Sequence, residues 1–202
     1  MATTNKKVGI FGGSFDPPTI SHQMLAMAAY AESDVDHISV MPSYNHRLKD
    51  GQTDFQDRLT MCQLAFEGLG MGVSDWEKDN ESGAMIDLLT ALSKKHPEFT
   101  YCPIVGMDCV KEISEGKWSK SQELWDNHSF IIFQRAGELK PDSDSRLYWL
   151  LNCDWHTLLE FKPYDCSSTE IRNAIAKGDM DFAMRRVPPR VWEFIEEKGL
   201  YR

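Results

Sequence analysis

Polar and apolar positions alternate along this chain in two rhythms. Short β-branched or apolar runs at Lys7 to Gly12, His37 to Met41, Met71 to Ser74, Phe99 to Val105 and Ser129 to Gln134 predict strands. Helical spacing fills the stretches between them. Ile20 to Glu32 predicts a helix, and Asp54 to Gly68 places Phe55, Leu59, Cys62 and Phe66 on one face. Met85, Leu88, Leu89 and Leu92 form another stripe, which stops before Pro97. Asp179 to Leu200 predicts two short helices separated by Pro188 and Pro189. Strand and helix in turn favour an α/β fold, a single Rossmann-like doubly wound parallel sheet with helices on both faces, because parallel neighbours need a crossover and the helix supplies it. No repeat, Gly/Ser linker or composition break interrupts the pattern. Residues 1–202 are therefore expected to form one domain with a C-terminal helical extension at about 179–202. In such sheets ligands sit outside the carboxyl ends of the strands, which directs attention to loops 12–19, 42–53, 74–83, 106–118, 135–143 and 162–168.

Composition narrows the chemistry. The 202 residues carry 22 Lys plus Arg against 31 Asp plus Glu, a formal charge of -9, which argues against sequence-independent binding to nucleic acid. A small polyanion is compatible with it, since a few cations and backbone N–H groups converging on a cleft reverse the local field. The longest apolar run, Met24 to Ala31, is too short to span a bilayer, and neither end shows a signal or lipidation pattern. A cytoplasmic protein with no membrane partner is expected. The cysteines at 62, 102, 109, 153 and 166 are odd in number and form no Cys-x-x-Cys pair, which favours reduced thiols. The six histidines lack metal-ligand spacing, so no protein-held metal site is expected. Without a coiled-coil seam or symmetric patch, the choice between monomer and homo-oligomer stays open.

The loop after the first strand reads Gly12-Gly13-Ser14-Phe15-Asp16-Pro17-Pro18-Thr19-Ile20-Ser21-His22. Two glycines allow close approach of backbone to a ligand, and a following helix start offers N–H groups to an anion. Neither a Walker loop nor a Gly-x-Gly-x-x-Gly fingerprint is present. The local alternative is a tight turn stiffened by two prolines, with Ser21 capping the helix and His22 an ordinary first-turn residue. Far along the chain, Asp165-Cys166-Ser167-Ser168-Thr169-Glu170-Ile171-Arg172 contains a capping box, Ser167 with Glu170, ahead of the apolar stripe Ile171, Ala174 and Ile175. On that reading Arg172 is a solvated charge.

Together the two strings resemble the signature of the nucleotidyltransferase superfamily, Gly-[Ser/Thr]-Phe-[Asp/Asn]-Pro-x-[His/Thr]-x-x-His followed by Ser-Ser-Thr-x-Ile-Arg. Thr19 stands where the first His of the usual box falls, and Ser21 where its Gly falls. That variant resembles the nicotinamide/nicotinate mononucleotide adenylyltransferase branch. Ile104-Val105-Gly106-Met107-Asp108, with Trp118 ten residues on, resembles the family's Gly-x-Asp landmark, and Asp75-Trp76-Glu77 and Arg135 follow the third and fifth strands. The resemblance covers about residues 7–175.

It implies transfer of AMP from ATP to nicotinamide or nicotinate mononucleotide. Catalysis would rest on His22, Thr19 and Arg172. ATP would meet Gly12, Gly13, Ser14, Phe15, His22, Gly106, Asp108, Arg135, Ser167, Ser168, Thr169 and Arg172. The mononucleotide would meet Ser14, Phe15, Lys49, Trp76, Asp108 and Trp118, and Mg²⁺ would be bound mainly through ATP phosphates. Each has a plainer local reading: Trp76 and Trp118 as core or rim aromatics, Asp108 as a helix N-cap, and Lys49 with Arg47 as a solvated loop. Within the superfamily, pantetheine-phosphate adenylyltransferases and cytidylyltransferases are the alternatives, although the latter's Arg-Thr-x-Gly-Ile-Ser-Thr-type segment is absent. A non-catalytic nucleotide sensor is the alternative from another class, and the presence of both His22 and Arg172 counts against it.

Overall fold

The computed structural model describes residues 5–44, 52–135, 142, 145–161 and 166–202, apart from the side chains of Arg135, Trp149 and Phe161. In chain order they form β1 (Lys6–Gly13), α1 (Ile20–Glu32), β2 (His37–Pro42), α2 (Phe55–Phe66), β3 (Gly72–Val73) and a 3-10 turn (Trp76–Asp79). Next come α3 (Met85–Lys95), β4 (Phe99–Gly106), α4 (Met107–Ser114), α5 (Ser121–Asn127) and β5 (Ile131–Arg135). The chain finishes with α6 (Arg146–Leu151), β6 (Thr157–Phe161), α7 (Ser168–Ala176), α8 (Met180–Met184) and α9 (Pro189–Lys198). Most of the predicted loop 106–118 is therefore helix α4, and the third strand shrinks to two residues.

All six strands are parallel, in the order β3-β2-β1-β4-β5-β6. This is a Rossmann-like doubly wound sheet. Its central strand alternates between two cores: Val8 and Ile10 face the layer of α3, α4, α5 and α6, while Phe11 faces that of α1, α2, α7, α8 and α9. Both layers are apolar, so a fully buried side chain such as Ile10 or Leu89 contributes about 1.5–3 kcal/mol. α9 starts with a proline in its first turn, where no N–H is needed, and stops at Gly199 in the left-handed conformation, φ 63. Among the described residues, no helix is long and apolar enough to cross a membrane.

The strand order reverses between β1 and β4. A crevice therefore opens outside their carboxyl ends, where Gly12 and Gly13 end one strand and Gly106 the other.

Candidate active site

The β1–α1 loop turns sharply and then buries itself. Phe15 has φ 47, and its ring, 2% exposed, packs edge-on against Phe11, His22 and Phe66. A Cβ on Gly13 would lie 3.1 Å from that ring, so glycine is what lets the loop close over it. The buried Phe15 ring packs the loop from beneath.

Thr19, not Ser21, caps α1. Its hydroxyl accepts from the His22 N–H at 3.3 Å, and the His22 ring returns to the Thr19 backbone as the other half of a capping box. Ser21 is buried at the second position of the helix, with its hydroxyl 3.7 Å from Cys166 Sγ. The helix start is also less open to an anion than the sequence implied, because the Ile20 N–H is already bonded to the Arg186 carbonyl at 3.0 Å.

That capping box fixes the tautomer of His22. Nδ1 accepts from the Thr19 N–H at 2.9 Å, a donor that cannot reverse, and the Thr19 hydroxyl lies at the same distance. The ring hydrogen must then sit on Nε2, which becomes a directed donor. Burial pushes the His22 pKa down to about 4. Near pH 7 the side chain is a neutral Nε2–H donor held by its own helix cap.

The second sequence motif meets this loop directly. Ser167 caps α7 in the predicted box, accepting from the Glu170 N–H at 3.2 Å while the Glu170 carboxylate accepts from the Ser167 N–H at 2.8 Å. Ser168 Oγ donates to the Pro17 carbonyl at 2.8 Å, and Arg172 Nη1 donates to the Asp16 carbonyl at 2.7 Å. Arg172 is therefore no solvated charge. Its other nitrogen, Nη2, donates to Thr169 Oγ1 at 3.2 Å, and Ser167 Oγ donates to the Glu170 carboxylate at 2.8 Å. Ser167 and Ser168 thus donate their hydroxyl protons to protein partners, while Thr169 Oγ1 accepts from Arg172 and keeps its own O–H beside the first-turn N–H groups at the start of α7.

On the other side of the crevice, Gly106 is the N-cap of α4 and Asp108 lies exposed in the first turn, so Asp108 is not the cap. A Cβ on Gly106 would come within 2.5 Å of Asp108 Oδ1. Glycine there allows the carboxylate to fold back over the end of β4. Trp118 is half-buried against the α3–α6 core, and its Nε1–H donates to Glu112 at 2.9 Å. Trp76 carries the Lys95 ammonium 3.9 Å above its ring. It also borders a cavity of about 550 Å³ on the sheet face, shared with Ile10, Ser39, Met41, Leu92 and Tyr101. No other candidate site residue lines that cavity. Arg47, Lys49 and Asp165 lie outside the described residues, as does the side chain of Arg135.

The sequence model of the cytidylyltransferase-like family matches residues 10–174. A probable nicotinate-nucleotide adenylyltransferase of Anaeromyxobacter sp. (strain K) is 30% identical, covering 98% of this chain and 97% of its own length. Another, from Halalkalibacterium halodurans, is 31% identical over 98% of this chain and 92% of its own. The chain belongs to the nicotinate-nucleotide adenylyltransferase branch of the cytidylyltransferase-like family. Its fold is shared with the Plasmodium falciparum nicotinic acid mononucleotide adenylyltransferase solved with NaAD, at a TM-score of 0.81, 24% identity and 97% coverage of each chain. The same enzyme solved with APC superposes at 0.79.

Three residues of this adenylyltransferase escaped sequence reasoning, or had no role assigned. Arg58, 2% exposed on α2, donates to the carbonyls of Thr53, Ser14 and Ser43 at 2.9, 2.9 and 2.8 Å. It ties the loops after β1 and β2 to one helix. Burial lowers its pKa, while Asp16 nearby opposes the shift. Asp16 is 3% exposed and accepts from the Thr53 N–H at 3.3 Å and from the Tyr201 hydroxyl at 2.7 Å. Arg58 did carry a signal, because it sits three residues after Phe55 and four before Cys62, on the face the apolar stripe marks as buried.

Proposed function

We propose that this enzyme transfers AMP from ATP to the 5′-phosphate of nicotinate mononucleotide, forming the dinucleotide and releasing pyrophosphate. An acceptor phosphate oxygen attacks the α-phosphorus in line, and the bond to the β-phosphate oxygen breaks, with its electron pair leaving on pyrophosphate. The attacking phosphate is already ionised at neutral pH, so no general base is required. Catalysis then consists of placing two mutually repelling anions and stabilising the charge that builds between them. His22 Nε2–H donates to the α-phosphate, and the Gly13–Ser14 backbone and Thr19 hold the loop that presents it. The first turn of α7 and the Arg172 guanidinium grip the β- and γ-phosphates. Asp108 and Trp118 receive the mononucleotide, with Lys49 and Trp76 as further contacts.

The observation that carries this reading is the direct bonding of residues 168 and 172 to the loop that leads into His22. The names of the relatives favour the acid over the amide as acceptor. Mg²⁺ bound to ATP would add positive charge at the β- and γ-phosphates. Among the described residues no three His, Cys, Asp or Glu side chains cluster. A cytoplasmic setting, where ATP is at hand, completes the reading.

A pyrophosphate-release panel tests it, with ATP and Mg²⁺ against nicotinate mononucleotide, nicotinamide mononucleotide, phosphopantetheine and no acceptor. Nicotinate mononucleotide should give the fastest release. Release at the no-acceptor rate with every compound would instead indicate a nucleotide sensor, and phosphopantetheine as the best acceptor would move the enzyme to another branch.

A further inference from the structure

The end of the chain returns to the phosphate loop. After α9, the N–H groups of Gly199 and Leu200 bond to the carbonyls of Glu196 and Ile195 at 3.2 and 3.1 Å, which reverses the backbone. Tyr201, itself at φ 66, is turned inward by this reversal. Its hydroxyl donates to Asp16 Oδ1 at 2.7 Å and lies 3.9 Å from Met61 Sδ. Burial, and next the Asp16 carboxylate, push the phenol pKa up, so it keeps its proton and stays a donor.

Asp16 is thereby held from three directions. Oδ2 takes the Thr53 N–H ahead of α2, the carbonyl takes Arg172 of α7, and Oδ1 takes Tyr201 from the C-terminus. The contact from Tyr201 is the short one to the carboxylate, and the one from Thr53 is long at 3.3 Å. A carboxylate that is 3% exposed and loses its best donor must either stay poorly solvated or move toward water. Pro17 and Pro18 follow immediately and lead into Thr19, the residue whose N–H sets the His22 tautomer. Stiffened by the two prolines, the loop passes a displacement of Asp16 on to the catalytic histidine.

We propose that Tyr201 is a positioning residue for AMP transfer: by anchoring Asp16 it fixes the loop from Gly12 to Thr19 and thus the placement of His22. This rests on the adenylyltransferase reading above, and the test separates the two. Tyr201→Phe is compared with wild type and with Arg202→Ala, a change at the exposed last residue. Two quantities are measured: steady-state transfer, and amide hydrogen exchange of the peptides covering residues 12–21 and 131–135. Tyr201→Phe should lower kcat about tenfold while leaving both KM values within about threefold, as befits the loss of one hydrogen bond to a charged group that touches neither substrate. Its loop peptide should exchange about tenfold faster with the β5 peptide unchanged, while Arg202→Ala matches wild type in both assays. Wild-type kcat or unchanged loop exchange in Tyr201→Phe would overturn the proposal. Equal acceleration of both peptides, or loss of the fold, would overturn it too by assigning Tyr201 to stability alone. A wild-type enzyme that transfers AMP to no acceptor would count against the functional reading, and the exchange data would still decide whether Tyr201 holds the loop.

Discussion

On the proposed phosphate side of the crevice, Arg172 and Ser168 are fixed by bonds to residues 156 and 151 positions away, whereas on the proposed acceptor side Trp118 bonds Glu112 only six positions away. Asp108 likewise folds back toward Gly106 in its own turn. One half is locked by long-range hydrogen bonds between distant segments, and the other is built from side chains on separate, locally supported turns. The locked half suits the part of the reaction that every nucleotidyl transfer shares, where charge must be met by donors already in place. The locally built half suits recognition of an acceptor. Substitutions on the phosphate side should therefore act on turnover, and those on the acceptor side on KM.

The largest effect should come from His22→Ala. Removing one preorganised donor costs about 2.7–4 kcal/mol, or roughly a hundred- to thousandfold in kcat, with the KM for ATP within a few fold. Steady-state kinetics check this, and near-normal kcat would remove His22 from the transition state. Arg58→Met comes next, and its effect is on stability. Three carbonyls lose their charged donor, so denaturant unfolding should show a loss of about 3 kcal/mol or more, and an unchanged midpoint would mean that the loops hold themselves. Arg172→Lys keeps the charge but loses the planar fork that reaches both Asp16 and Thr169. Turnover should fall about tenfold with the KM for ATP within a few fold, and a wild-type kcat would show that charge alone suffices.

The pH dependence sharpens the same contrast. His22 titrates near 6.5 in the unfolded chain and at about 4 in the fold. Below pH 6.5 the unfolded state takes up a proton that the folded state refuses. Stability should thus fall as pH drops from 6.5 toward 4, with no His22 contribution above 6.5. His156, also lowered to about 4, acts in the same window, so the His22 share is the difference in unfolding curves between wild type and His22→Ala. Identical pH slopes would contradict the buried neutral imidazole. The smallest effect should be that of Trp118→Ala, which loses one aromatic contact worth about 0.5–1.5 kcal/mol and so raises the mononucleotide KM about three- to tenfold with little change in kcat. A fall in kcat without a change in KM would erase the distinction between the two halves.

Legibility in the sequence followed the same division. Strand and helix alternation revealed the doubly wound sheet, and α1 falls on its expected bounds because Thr19 and the apolar run define both ends. Helix α4 was hidden inside a stretch read as loop, since its eight residues offer too few turns for a stripe to stand out. The α7 capping box and the two motif strings were readable because their chemistry is local, whereas the Thr19–His22 box was not, since its return partner is a histidine and not the usual Glu or Gln. Asp16 with Tyr201 was not, because the partners are 185 positions apart and neither residue type announces a buried pair. Arg58 was readable in principle, but periodicity counts apolar residues and passes over a cation on the same face.

A crystal structure of the enzyme with a non-hydrolysable ATP analogue decides whether His22 and Arg172 share one triphosphate. One triphosphate should span the two motifs, its α-phosphate oxygens within about 2.7–3.2 Å of His22 Nε2 and its outer phosphates on the first turn of α7 and Arg172. An analogue bound elsewhere, for example in the cavity of about 550 Å³ beside Trp76, with His22 and Arg172 untouched, would contradict it.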